Sequence, residues 1–107
     1  MFGFFKVNED LFFEELLKDD MDIDKIEKYI NKGVNINKKD EKGQTILFSL
    51  VAKRKLEALK ILIKNGANLT LEDLHRKTIL DEAVDRNDGI MIRFLFDNGF
   101  NINHKNN

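Results

Sequence analysis

Residue types able to carry chemistry are few in this sequence, and their spacing is wrong for it. Asp20, Asp22 and Asp24 stand at alternate positions within DDMDID, as in the opening of a calcium-binding loop. Such a loop then requires Gly at its sixth place and Glu at its twelfth. Counted from Asp20, those places hold Lys25 and Asn31. The segment reads instead as an acidic turn in which Asp22 or Asp24 caps the helix that follows. His75 and His104 have no cysteine and no clear third ligand beside them, which argues against a metal site. No nucleophile can be paired with a base, and no glycine loop could cradle a phosphate, so neither an enzyme nor a cofactor is expected. Lys53-Arg54-Lys55 reads as a solvated turn between helices; contact with an acidic partner surface is the sharper alternative. The absence of cysteine excludes a disulfide framework and thiolate chemistry, and fits a reducing compartment.

The elements that must position these side chains follow from composition and repetition. The chain has 107 residues, 42% hydrophobic and 35% charged, enough for one domain, residues 1–107, with a modest core. Eighteen basic residues against 19 acidic ones leave a net charge of −1, and no basic stripe marks a nucleic-acid interface. The opening MFGFFKVNED is too short in apolar residues for a signal peptide, and no apolar run is long enough to span a membrane.

The sequence repeats itself. NKGVNIN at 31–37 returns as KNGANLT at 64–70 and as DNGFNIN at 97–103, placing Gly33, Gly66 and Gly99 at a period of 33. The period also relates Asp40 to Asp73, Thr45 to Thr78, Val51 to Val84 and Leu62 to Leu95. Units are expected at about 8–37, 40–70 and 73–103, the first matching only in its C-terminal part. Each unit divides into two helices. Leu47, Leu50 and Val51 form one stripe and Leu56, Leu59, Leu62 and Ile63 a second. The third unit places Leu80, Ala83 and Val84 inward, followed by IMIRFLF; the first has Phe12, Phe13, Leu16 and Leu17, then Ile23, Ile26, Tyr29 and Ile30. Thr45 and Thr78 are expected to cap the first helices through their hydroxyls. The Asn-Gly pairs would suit β-hairpin turns, but a helical stripe before each assigns the glycines to helix C-caps.

The pattern carried by Asp40, Gly43, Thr45, Leu47, Leu56, Glu57, Leu59, Leu62, Ile63, Asn65, Gly66 and Ala67 resembles the ankyrin repeat. The resemblance spans roughly residues 8–103. It departs from the family's Thr-Pro-Leu-His at TILF (45–48) and TILD (78–81), and Arg76 replaces the glycine found at Gly43. Asp81 would partly stand in for the missing His as an anion near a helix N-terminus, and Arg76 would make its hairpin less regular. The resemblance implies an all-α solenoid of three stacked helix-turn-helix units with hairpin-like loops, the first unit a degenerate N-terminal cap.

It also implies a non-catalytic protein-binding scaffold whose partner lies along a concave face. Carried onto this chain, that face comprises Glu41, Lys42, Gln44, Leu74, His75 and Lys77 at the loop tips. On the first helices it comprises Ser49, Ala52, Lys53, Glu82, Asp85 and Arg86. These positions fall between the apolar stripes, so packing does not require them. One protein partner is expected, with no nucleic acid and no membrane, and a monomer in preference to a homo-oligomer. The expected role is a small stand-alone binder acting by occlusion: an inhibitor, an immunity protein, or an effector capturing one protein. Its expected compartment is the cytoplasm, or that of a cell to which an effector is delivered, and the Asn-, Lys-, Ile- and Asp-rich usage suggests a low-GC, bacterial source. The alternative is an assembly module that self-associates through apolar ends, namely Phe2, Phe4 and Phe5 before the repeats and Phe94, Phe96 and Phe100 in the last.

Overall fold

The computed structural model describes residues 8–100. Phe2, Phe4, Phe5, His104 and the 101–103 part of the last repeat lie outside them. The described residues form six helices: α1 Glu9–Leu17, α2 Ile23–Asn31, α3 Ile46–Ala52, α4 Leu56–Lys64, α5 Ile79–Asp85 and α6 Gly89–Asp97. They come as three helix pairs, and no strand occurs among the described residues.

A shared C-terminal device ends five of the helices. The residue after each C-cap has positive φ: Gly33 (92°), Arg54 (58°), Gly66 (94°), Asn87 (57°) and Gly99 (110°). In each case two backbone N–H groups fold back on the last turn. After α4, for example, Gly66 N donates to Ile63 O at 3.1 Å and Ala67 N to Leu62 O at 2.9 Å. This double closure satisfies carbonyls that the helix end would otherwise leave unpaired. The repeated Asn-Gly pairs are therefore helix stops, as expected. The turns after α3 and α5 reach the same conformation with Arg54 and Asn87.

Helix starts are less uniform. Asn8, Asp22 and Asp88 cap α1, α2 and α6 through their side chains, accepting from Leu11 N, Lys25 N and Met91 N. Thr45 does not behave as expected: α3 begins without a side-chain cap, and the Thr45 hydroxyl is buried with no hydrogen-bond partner. At the matching position, Asp81 accepts from both the backbone N–H of Thr78 (2.8 Å) and its hydroxyl (3.3 Å). The difference lies three residues on, where unit two has Phe48 in place of Asp81. Phe48 is buried in the core and offers no polar atom.

The core runs continuously through the stack. Phe12 and Leu16 of α1, Ile26 of α2, Leu47, Leu50 and Val51 of α3, and Leu59 and Leu62 of α4 are almost wholly buried. Ile79 and Ala83 of α5 and Met91 and Leu95 of α6 extend it. Central α3 packs on α1, α4 and α5, which is how one unit's apolar face is covered by the next. Two expected stripe positions face outward instead. Val84 is 53% exposed where its counterpart Val51 is 1% exposed, because no further unit covers α5 among the described residues. Ile23 is also exposed, at the first turn of α2, while Leu80 is half-buried. In α6, Met91, Phe94 and Leu95 are buried, whereas Ile90 and Phe96 are exposed.

The loops are built on aspartate. Asp40 Oδ1 accepts from Lys42 N (2.8 Å) and Gln44 N (3.0 Å), while Asp40 N donates to Gln44 O at 2.9 Å. Asp73 repeats the arrangement with His75 N (2.7 Å) and Lys77 N (3.0 Å). The second turn is as regular as the first, contrary to expectation, because Arg76 (φ 63°) adopts the conformation of Gly43 (φ 78°). What separates the two is the neighbour. A Cβ on Gly43 would lie 2.9 Å from the backbone N of Leu74 in the next turn. No described unit stacks beyond Arg76, so its side chain is tolerated.

Candidate partner-binding face

Three sets of polar contacts lock successive units in register and so fix where the surface side chains stand. Leu74 N donates to Lys42 O at 3.1 Å, joining one tip to the next. Lys39 Nζ reaches Glu72 O at 2.9 Å, and Asn37 accepts from Asn68 N at 2.8 Å. At the opposite edge, Arg54 Nε lies 2.9 Å from the Asp88 carboxylate that also caps α6. Lys55 pairs with Asp19. The basic triplet is thus partly consumed within the fold: Arg54 and Lys55 bind neighbouring units, and Lys53 is exposed.

Of the twelve expected contact positions, five line two clefts. Glu41, Gln44 and Ser49 converge on a cleft of about 310 Å³ between the unit-two tip, α3 and α1. Ala52 and Arg86 line a separate depression of about 490 Å³ at the inter-helix turns, beside exposed Ile90. In unit three the charges pair among themselves. Lys77 Nζ lies 3.4 Å from Asp85, and Arg86 pairs with Glu82 one turn earlier on α5. Such exposed pairs hold side chains in place only weakly. Lys42 and His75 are exposed on the tips, and Leu74, 71% exposed, is the most solvent-accessible large apolar residue among those described.

The cleft also contains residues that the repeat pattern did not single out. Asp10 and Phe13 come from α1, and Lys38 and Lys39 from the loop ahead of α3. Unit one has no tip motif, so period alone gave no reason to place α1 beside the unit-two loop. The only usable signal was that Phe13 belonged to the apolar stripe of the first helix.

Asp19 is held below the usual carboxylate range by its hydrogen bond from Lys55, and two further carboxylates are tuned by the scaffold. Asp73 is held below the usual carboxylate range, chiefly by the Lys77 backbone N–H, with further donation from His75 N and Gln44 opposing the effect of burial. Glu15 on α1 is buried although charged. Its carboxylate accepts from Asp22 N at 2.7 Å and from Lys18 Nζ at 3.0 Å, with Lys25 at 3.8 Å, and these contacts lower its pKa, the Asp22 N–H most of all. Both groups brace turns. Among the described residues no three His, Asp or Glu side chains group closely enough to hold a metal ion. No described helix is long and apolar enough to cross a membrane.

Comparison with known proteins agrees with this architecture. No curated protein matches the chain. A family model described as ankyrin repeats, 3 copies, matches residues 14–106. Ankyrin-repeat proteins are in general binding modules rather than enzymes, and their ligands are other proteins. With six helices in three stacked pairs, aspartate-built loops between the pairs and that match over most of its length, the chain belongs to the ankyrin-repeat family.

Proposed function

We infer that the chain captures one protein partner along the face made by its loop tips and first helices, and acts by occluding that partner. Inhibition, immunity against a toxin, or effector-type capture would each be an instance. The convergence of Glu41, Gln44 and Ser49 on one cleft carries this reading, because it joins a tip to a first helix across a rigid scaffold. Glu41, Gln44 and Ser49 are polar and lie outside the hydrophobic core, while Phe13 and Ile46 give the cleft an apolar wall.

The test is capture from source cells by the wild-type chain beside a variant with Glu41, Gln44, Glu82 and Asp85 all changed to Ala. A protein bound by the wild type and lost by the variant supports the reading. The same protein bound equally by both places recognition elsewhere. A second reading, self-association through the last unit, is favoured by the exposure of Val84 and Phe96. Concentration-dependent mass in sedimentation, abolished by Val84→Asp, would support it.

A further inference from the structure

The cleft between α1 and the unit-two loop combines three features that no packing requirement explains together. The first is the Thr45 hydroxyl. Thr45 is only 4% exposed, lines the cleft, and its Oγ1 has no hydrogen-bond partner. A buried hydroxyl left unpaired is unfavourable, and such groups in native proteins call for a cause. The second is charge. Three carboxylates line the cleft, Asp10, Asp40 and Glu41, against two ammonium groups, Lys38 and Lys39. The lysines are engaged elsewhere: Lys38 lies 4.0 Å from Glu9, and Lys39 donates to the Glu72 carbonyl. Asp40 is committed to its own turn. Asp10 and Glu41 have no cation within pairing distance among the described residues. The third is the half-buried ring of Phe13, with Ile46 beside it, which gives the cleft an apolar wall.

We propose that this cleft is a socket for an arginine side chain of the protein partner. It rests on the protein-binding role inferred for this face and narrows it to one anchoring contact. The aliphatic stem lies against Phe13 and Ile46, and the guanidinium meets Asp10 and Glu41 while donating to Thr45 Oγ1. Arginine fits better than lysine on two grounds. Its planar fork carries five donors, enough to serve two carboxylates and a hydroxyl at once, and its flat cation stacks favourably on an aromatic face. Arginine is also among the residues that most often anchor protein interfaces.

The test uses the isotope-labelled chain and three small probes: N-acetyl-arginine amide, its neutral isostere N-acetyl-citrulline amide, and N-acetyl-lysine amide. Amide shifts are followed by NMR. A probe of this size in a good site binds with a dissociation constant on the order of 1 mM. The arginine probe should saturate shifts at Asp10, Phe13, Gln44 and Thr45, with the lysine and citrulline probes weaker by about fivefold or more. Asp10→Asn and Glu41→Gln should each weaken the arginine response by about threefold, the size expected of exposed ion pairs. Thr45→Val should weaken it too while leaving a folded spectrum. Equal binding of the citrulline or lysine probe, or shifts centred on unit three, would overturn the socket. If the socket fails while the four-alanine variant still loses its captured partner, the concave-face reading stands and only the arginine anchor falls.

Discussion

Replacing Thr45 by Val should stabilise the protein, although Thr sits at a helix N-cap, where such a change ordinarily destabilises. The ordinary loss, about 0.5–2 kcal/mol, comes from a side-chain oxygen that no longer accepts from the first turn. Here α3 has no side-chain cap to lose. The hydroxyl is instead buried and unpaired, a state that costs about 1–3 kcal/mol. Val keeps the branched outline and removes the polar atom. The expected net gain is about 1 kcal/mol, which for a chain of this size raises Tm by roughly 4 °C or more. Thr78→Val is the internal control. Its hydroxyl donates to Asp81 at 3.3 Å, so the same substitution there should lower stability by about 0.5–1 kcal/mol. Both variants can be followed by far-ultraviolet circular dichroism during urea and thermal unfolding. A Thr45→Val protein that loses as much stability as Thr78→Val would show that the hydroxyl caps α3 in solution, and the account of the orphan group would be wrong.

Three further outcomes are expected. Gly43→Ala should lower stability by about 2 kcal/mol or more in denaturant titration, since it combines a left-handed backbone with a Cβ 2.9 Å from Leu74 N; Arg76→Gly should raise it by up to about 1 kcal/mol. Val51→Ala should cost about 2 kcal/mol from lost burial and the cavity left behind, while Val84→Ala should be close to neutral, because the same residue type is covered in one unit and open in the next. Glu15 and Asp73 have pKa values lowered by the fold, so their stabilisation is complete above the unfolded-state values near 4 and is lost as pH falls through the folded ones. Tm measured from pH 7 downward should therefore begin to drop below about pH 4.5, and Glu15→Gln should flatten that drop while lowering Tm at neutral pH.

What the sequence made legible was whatever recurs. Period, the helix pairs, the glycine stops after α2, α4 and α6, and the aspartate at each turn all survive as written. Stops at Arg54 and Asn87 were not legible, because the left-handed conformation announces itself through glycine and neither residue is one. There the returning hydrogen bonds to the helix end outweigh the backbone penalty: Lys55 N donates to Leu50 O and Asp88 N to Ala83 O. The outward turn of Val84 was illegible for a different reason. Helical spacing fixes which residues share a face, but not whether anything covers that face. The cleft was half legible. Glu41, Gln44 and Ser49 were implied by the ankyrin resemblance, whereas Asp10 and Phe13 belong to the unit that repeats least.

Units two and three are best understood as one template written for two neighbours. Gly43 and Val51 are matched to the unit that covers them; Arg76 and Val84 are not so constrained. Phe48 against Asp81 is the informative pair. Phe48 gains a place in the core and gives up the carboxylate that serves Thr78 in the next unit, which leaves Thr45 without a partner. The burial of Phe48 accounts for the orphan hydroxyl but not for the threonine, since valine would fill the same space at lower free energy. A residue that weakens the fold and borders a cleft with two carboxylates unpaired among the described residues is the kind of local conflict that binding sites retain. The two measurements on Thr45→Val bear on this together. A gain in stability with a loss of arginine binding ties the conflict to recognition, and a gain in stability with arginine binding unchanged reduces it to a by-product of Phe48.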